Sequence, residues 1–259
     1  MFAIQDFKNY RQEFGFTSKD GMKKFLSAKD ISPSVNFSYV NDLNTRLRKI
    51  ISNLYKMDYF LDVEIEKFLS DNLDKVYQTI LNENLLPLMN NQGRRPEQVY
   101  FNWMRGHLIC QFFKPYTAKI LDVNIDAITD VGDDDFTSIN TFKRTAKADL
   151  ELIKESQIYR IEVQSGFQDI NDVKQHKVIE AKRIFEEDNK QTILMHFDLF
   201  NGQVGLILLN NIAENDQNWI TRQQMEGQTV FNISQNKFYF MLNKEKIEPI
   251  NDIEEFLSD

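Results

Sequence analysis

The chain has 259 residues, of which 42% are hydrophobic and 12% aromatic, and its formal net charge is −8. This length and apolar content predict a globular protein with a sizeable core and exclude an intrinsically disordered chain. No apolar run approaches the length of a transmembrane helix, so we expect no membrane association. The single cysteine, Cys110, excludes an internal disulfide framework and, with no signal-peptide pattern at the N-terminus, favours the reducing cytoplasm.

The first third of the chain has the pattern of a helical region. Its apolar residues recur at helical spacing, and polar residues occupy the positions between them. Pro87 and the polar run that ends at Gly93 terminate this pattern, so we predict a helical N-terminal region over residues 1–92. The predicted helices cover residues 2–14, 19–26, 40–55 and 63–81.

A longer helix is predicted to begin at Pro96, because proline suits the first helical position. It should run to about Phe113, since Pro115 would interrupt its hydrogen bonds. A strand is then expected over residues 118–128, followed by an acidic turn over 131–135. The acidic residues of this turn lack the alternating spacing of an EF-hand, so a solvated turn is the favoured interpretation.

Two consecutive strands are predicted over residues 148–153 and 159–166, because apolar and polar residues alternate in both. A polar hairpin, Lys154 to Gln157, joins them. Further along, strands are expected over residues 192–199, 203–209, 229–233 and 237–242. His196 lies within an apolar strand and is interpreted as a core histidine.

The strand pair is predicted to bring acidic side chains together. Alternation places Glu162 and Gln164 on the same face of their strand. Antiparallel pairing then brings Asp149 beside Glu162. Two converging carboxylates form an oxygen-rich site that suits Mg²⁺, which binds through one or two carboxylates, waters and phosphate oxygens.

An Asp followed by Glu-x-Gln in consecutive strands resembles the PD-(D/E)xK nuclease superfamily, whose core hairpin carries an Asp and then acid-x-Lys. Ala148 stands before Asp149 instead of Pro, and Gln164 replaces the Lys, as in a minority of type II restriction endonucleases. The resemblance implies an α/β (α+β) fold like that of restriction endonucleases, with a mixed sheet flanked by helices over residues 93–210. Residues 211–259 would form a β-containing extension packed on this core.

The helix after the second strand carries a lysine in its apolar face. This helix is predicted to be capped by Asp169 and closed by Asn189. Lys177 lies in its apolar face, and a lysine there needs a partner or a route to water. Either Lys177 reaches the carboxylate site and replaces the missing motif lysine, or it extends to solvent; both interpretations remain open.

The resemblance implies a Mg²⁺-dependent, sequence-specific endonuclease of double-stranded DNA, similar to type II restriction enzymes. Because such enzymes often form dimers, it also implies a homodimer as one candidate assembly. Asp149 and Glu162 would bind the metal, Gln164 would position the attacking water, and Lys177 would act nearby. The superfamily often takes another acid from the helix before the sheet, which makes Glu97 a candidate. A glutamate in a first helical turn is, however, also favoured by the helix dipole alone.

The net negative charge is unusual for a DNA-binding protein, but binding depends on local patches. Residues 143–190 contain as many basic as acidic residues and are therefore neutral within an acidic chain. Lys147, Lys174 and Arg222 are our candidates for DNA contacts, because phosphates and guanine edges are bound by such side chains. Two alternatives stay open: another nuclease of the same fold, serving repair, recombination or a mobile element, and a non-catalytic DNA- or protein-binding domain.

Overall fold

The protein has a mixed α/β fold in which helices surround a six-stranded and a three-stranded sheet, within the part of the chain that the structure describes. The structure is a computed structural model. It describes residues 3–28, 30–57, 64–89, 94–131, 149–167, 170–223, 227–243 and 247–257.

The N-terminal region is helical, as its pattern predicts. A wider turn of π type, Ser70–Asp74, joins the fourth helix to the fifth, so the predicted helix over 63–81 is interrupted. The first two helices bury no residue, whereas the third buries Leu47 and Ile51 in the main core. The five helices are α1 (Ile4–Phe14), α2 (Lys19–Leu26), α3 (Phe37–Met57), α4 (Ile65–Leu69) and α5 (Lys75–Asn82).

The central helix, α6, extends over Pro96–Ile120, beyond the predicted end. Pro115 lies inside it, and a proline there costs about 3 kcal/mol through the lost hydrogen bond and steric clash. Burial of the residues beyond Pro115 offsets this cost, since Tyr116 and Ile120 are fully buried. The expected strand over 118–128 is therefore wrong. Among the described helices, none combines the length and the apolar character needed to cross a bilayer.

The larger sheet is built around the predicted strand pair. Its order is β1-β2-β3-β5-β6-β9, and β3 and β5 run parallel while the other neighbours are antiparallel. Glu155 and Ser156 both have positive φ (50° and 71°) in the β2–β3 turn, which matches the twist of a tight hairpin. The strands are β1 (Ile128–Asp130), β2 (Leu150–Lys154), β3 (Gln157–Gly166), β5 (Gln191–Asp198), β6 (Gln203–Leu208) and β9 (Phe238–Met241).

The two faces of this sheet differ in chemistry. One face packs against α6 and is apolar; there the ring of Phe197 stacks on that of Phe113 with centroids 4.1 Å apart. The opposite face carries polar and charged side chains together with Leu194 and Ile207, which pack in a second, smaller apolar cluster. The buried apolar residues of the first face include Leu150, Leu152, Ile161, Ile193, Met195, Phe197, Val204 and Leu206.

The smaller sheet has the order β4-β8-β7, with β4 (Asp172–Lys174), β7 (Trp219–Arg222) and β8 (Gln228–Asn232). The expected helix from Asp169 therefore begins later, as α7 (Gln175–Asp188), because β4 pairs with β8 instead. Asp169 itself lies outside the described residues.

Between the parallel strands β3 and β5, the chain forms β4 and α7. The last described helix is α8 (Ile253–Leu257). Asn189 closes α7 in the left-handed conformation, as predicted. Residues 211–259 supply strands to both sheets, because β9 pairs with β6 and β8 pairs with β4.

Two phenylalanines near the end of β5 test how much the core depends on the apolar face. Phe197 is fully buried, whereas Phe200 is 71% exposed. Phe197→Ala should lower the free energy of unfolding by roughly 3–5 kcal/mol, since it removes a stacked ring and leaves a cavity. Phe200→Ala should change it by less than about 0.5 kcal/mol. Urea denaturation of both variants measures the difference, and equal effects would contradict this packing.

Candidate active site

The two predicted carboxylates lie at neighbouring positions of β2 and β3. Leu150 pairs with Ile161, so the preceding Asp149 stands opposite Glu162. Asp149 accepts a hydrogen bond at Oδ2 from the backbone N–H of Val163, at 2.8 Å, which fixes its carboxylate against β3. Glu162 is 8% exposed. The strand register thus brings both acids together, as the alternating pattern predicts.

Lys177 of α7 contacts this acid pair. Its ammonium Nζ forms an ion pair with Oε1 of Glu162, while the lysine side chain remains 33% exposed. Burial lowers the pKa of Lys177, and the nearby carboxylate of Asp149 acts in the opposite direction. Of the two interpretations of Lys177, the structure shows the one in which it reaches the carboxylates. Its catalytic role stays a prediction.

Gln164 follows on the same face of β3 and is held by a backbone group. Its side-chain Nε2 donates to the carbonyl oxygen of Asp172, at 2.7 Å. The Oε1 atom has no hydrogen-bond partner among the described residues. The amide is therefore fixed at one end and can accept a hydrogen bond at the other.

The carboxylate of Asp172 links the three strands of the smaller sheet, while its backbone carbonyl accepts from Gln164 of the larger sheet. It accepts from Nε of Arg222 at 2.7 Å and from Nη2 at 3.2 Å, and from Nδ2 of Asn232 at 2.8 Å. Asp172 is only 4% exposed, so its charge depends on these donors. The hydrogen bond to Asp172 raises the pKa of Arg222. Arg222, our candidate for base contacts, is thus engaged in an ion pair inside the protein.

His196 lies on the same face of the sheet, in register with Gln164. It is fully buried, and its Nε2 lies 2.8 Å from Oδ1 of Asn171, while Nδ1 has no partner among the described residues. Burial lowers the pKa of His196 to about 4, against the opposing influence of Asp198 and Asp172. A Cβ atom on Gly166 would lie 2.9 Å from Nε2, so the histidine requires a glycine there.

Sequence reasoning missed this network around Asp172 and His196. The signal that could have found it was weak: Gly166 ends a strand, and Asn171 precedes Asp172 in the sequence. Neither residue shows by itself which distant strands it meets.

Glu97 does not join the acid pair. It is fully buried near the start of α6 and accepts hydrogen bonds from the backbone N–H of Asn36 (2.7 Å) and from Nη2 of Arg95 (2.9 Å). Asp149 instead acts on Cys110, which lies further along the same helix. The pKa of Cys110 is raised first by burial and then by the charge of Asp149. At 1.5 Å per residue, Glu97 lies about 20 Å along α6 from Cys110. Glu97 therefore anchors the segment before α3.

The remaining candidates for DNA contacts have different surroundings. Lys174 lies at the end of β4, half-buried and directly before α7. Lys147 lies outside the described residues. Nothing in the described part of the chain brings Lys174 against the acid pair.

The donor set of the pair suits a small, hard cation. Within the described ranges, no group of three or more His, Cys, Asp or Glu side chains converges. Asp149 and Glu162 supply two carboxylates, and Oε2 of Glu162 has no partner among the described residues. Mg²⁺ accepts such a partial protein shell, because waters and phosphate oxygens complete its coordination.

The comparisons with known proteins add no relationship. No protein-family model matches the chain, and no curated protein matches it significantly.

The buried histidine predicts a pH dependence of stability. The pKa of His196 is about 4 in the folded protein and 6.5 ordinarily, so between these values the unfolded chain binds more protons. The free energy of unfolding should therefore fall as the pH drops from 6.5 to about 4, by on the order of 3 kcal/mol from this residue. His196→Gln should flatten that part of the curve in urea denaturation. His107 should still contribute to the pH dependence of stability in this variant, because burial also lowers the pKa of His107 to about 4.

The comparison variant is His176→Gln, because His176 is exposed. Burial and then the charge of Lys174 also lower the pKa of His176, but less than that of His196, so this variant should lose only a smaller part of the pH dependence. A His196→Gln protein with the full wild-type loss of stability on acidification would mean that His196 is protonated in the folded state.

Proposed function

We propose that the protein is a Mg²⁺-dependent, sequence-specific endonuclease of double-stranded DNA, similar to type II restriction enzymes. The observation that carries the proposal is the acid pair on one strand hairpin with a lysine ammonium against it. Asp149, Glu162 and Lys177 come from three different elements, and they meet on the polar face of the sheet. An acid–acid–lysine group is what the resembled superfamily uses, and here the lysine comes from α7.

The acid pair would hold the metal. Asp149 is fixed by the N–H of Val163, and Glu162 keeps Oε2 without a protein partner in the described ranges. When bound, Mg²⁺ polarises the scissile phosphate and lowers the pKa of coordinated water. Because Lys177 already contacts Oε1 of Glu162, the protein offsets part of the repulsion between the two acids before any metal binds.

Lys177 and Gln164 would act on the reacting groups. The ammonium of Lys177 is a positive charge beside the acid pair, where negative charge develops on the phosphate during attack. Gln164 cannot supply a charge, but its Oε1 can accept a hydrogen bond from the attacking water. Its Nε2 is anchored on Asp172, so the orientation of this amide is set before substrate arrives.

The ion pair between Lys177 and Glu162 also supports a second candidate function. Such a pair between a buried glutamate and a lysine can be a structural contact with no role in catalysis. In that case the protein would be a non-catalytic DNA- or protein-binding domain. Calorimetric titration with Mg²⁺ separates the two, because a structural pair gives no metal-dependent heat.

The first test of the proposal uses the acid pair. Asp149→Asn and Glu162→Gln should each reduce cleavage of a mixed-sequence plasmid by at least about 10²-fold, because each removes a charge that the transition state needs. Gel analysis of the plasmid with Mg²⁺ measures the rate. Discrete bands from the wild type would also establish sequence specificity.

The matched control is Glu151→Gln, since Glu151 lies in the same strand and pairs with Lys190 at 3.0 Å, away from Lys177. It should cut at nearly the wild-type rate. Wild-type cleavage by purified Asp149→Asn protein would refute the site assignment.

The second test concerns the lysine. Lys177→Met should slow cleavage by about 10²-fold or more, because a transition-state charge contact is lost. DNA affinity in Ca²⁺ should change little, so the effect should lie in kcat. Lys182→Met, in the same helix, is the control for the lost charge. Normal cleavage by Lys177→Met would mean that Lys177 is only a structural partner of Glu162. Thermal unfolding of the variant measures how much this ion pair contributes to stability.

A further inference from the structure

Arg105 of α6 is held between two aromatic rings. Its guanidinium Cζ lies 5.6 Å from the ring centroid of Phe101 and 5.1 Å from that of Phe167. Both distances are within the range in which a cation is attracted to a ring face. The two rings come from different parts of the chain, since Phe101 is one helical turn before Arg105 and Phe167 follows β3. These two contacts therefore hold the guanidinium near the end of that strand.

The cation of Arg105 has no counter-ion within the ranges that the structure describes. Among the described residues, it forms neither a hydrogen bond nor an ion pair, whereas Arg95, Arg183 and Arg222 each contact a carboxylate. Burial lowers the pKa of Arg105, and no neighbouring acid opposes this. A partly buried guanidinium without an anion leaves strong donors unused.

The position of this stack relates it to the candidate active site. Phe167 directly follows Gly166, the last residue of β3, and is 50% exposed. Gln164 lies three residues earlier on the same strand, which corresponds to about 10 Å. Arg105 therefore lies near the same end of β3 as Gln164, but on the side of the sheet that α6 covers, where Phe167 meets solvent.

We propose that Arg105 binds a backbone phosphate of the DNA where the duplex passes the end of β3. Phe101 and Phe167 hold the guanidinium through contacts with their rings, so its N–H donors, which have no oxygen acceptor among the described residues, remain available to phosphate oxygens. Such a contact positions the duplex and does not read its sequence. This inference rests on the proposed function.

The test measures binding of two unrelated mixed-sequence duplexes in Ca²⁺ across a salt series. Arg105→Met should weaken binding of both duplexes by about tenfold, as expected for loss of a charge-assisted hydrogen bond. It should also lower the slope of log affinity against log salt by about 1, because one neutralised phosphate fewer releases counterions. Phe167→Leu keeps the apolar bulk but removes the ring, and should weaken binding by a smaller factor.

The control is Arg46→Met, which makes the same change of net charge at an exposed position of α3. It should leave both affinity and slope unchanged. Arg105→Lys retains the charge without the planar fork, and serves if Arg105→Met does not fold; it should bind more weakly than the wild type.

Two failures are distinguishable. Wild-type affinity and slope in a folded Arg105 variant, with a wild-type protein that binds DNA, would overturn this inference and leave the proposed function standing. A wild-type protein that binds neither duplex, with or without Ca²⁺, would overturn the proposed function and this inference with it.

Discussion

The structure depends on a sheet whose two faces have opposite chemistry. One face supplies apolar side chains to α6, and stacking of Phe197 on Phe113 is the central contact of that layer. The other face then need not contribute to the main core, so it can carry acids, an amide and a histidine at alternate positions. Successive side chains of a strand point to opposite faces of the sheet. A residue that is fixed by packing in the apolar layer therefore also fixes the positions of the polar residues next to it in the strand.

On the polar face of the larger sheet and in the smaller sheet, carboxylates are paired with hydrogen-bond donors or cations. Glu162 meets Lys177, Asp172 meets Arg222 and Asn232, and Glu151 meets Lys190. Each of these carboxylates would be unfavourable if it were buried alone. Arg105 of α6 differs from these pairs, since it contacts two aromatic rings and no carboxylate among the described residues.

The sequence predicted what depends on local pattern. The strand hairpin follows from period-two alternation, and it brings Asp149, Glu162 and Gln164 to one place. The helix end near Phe113 and the strand over 118–128 were wrong, because burial beyond Pro115 outweighs the local cost of proline. The sequence predicts helix where the short strand β4 forms, because its partner β8 lies far along the chain and only tertiary pairing reveals it. The partners of Asp172 and His196 were unpredictable for the same reason: they depend on the register between distant strands.

The shared carboxylate of Asp172 also affects how mutational scans of this protein should be interpreted. Its side chain holds Arg222 of β7, while its backbone carbonyl holds the amide of Gln164. An alanine at Arg222 leaves a buried acid without its strongest donor, so the strand beneath Gln164 would relax. Loss of activity in such a variant would therefore not identify Arg222 as a DNA contact. An engineer who randomises the small sheet to change sequence preference would need to keep the Asp172–Arg222 pair fixed.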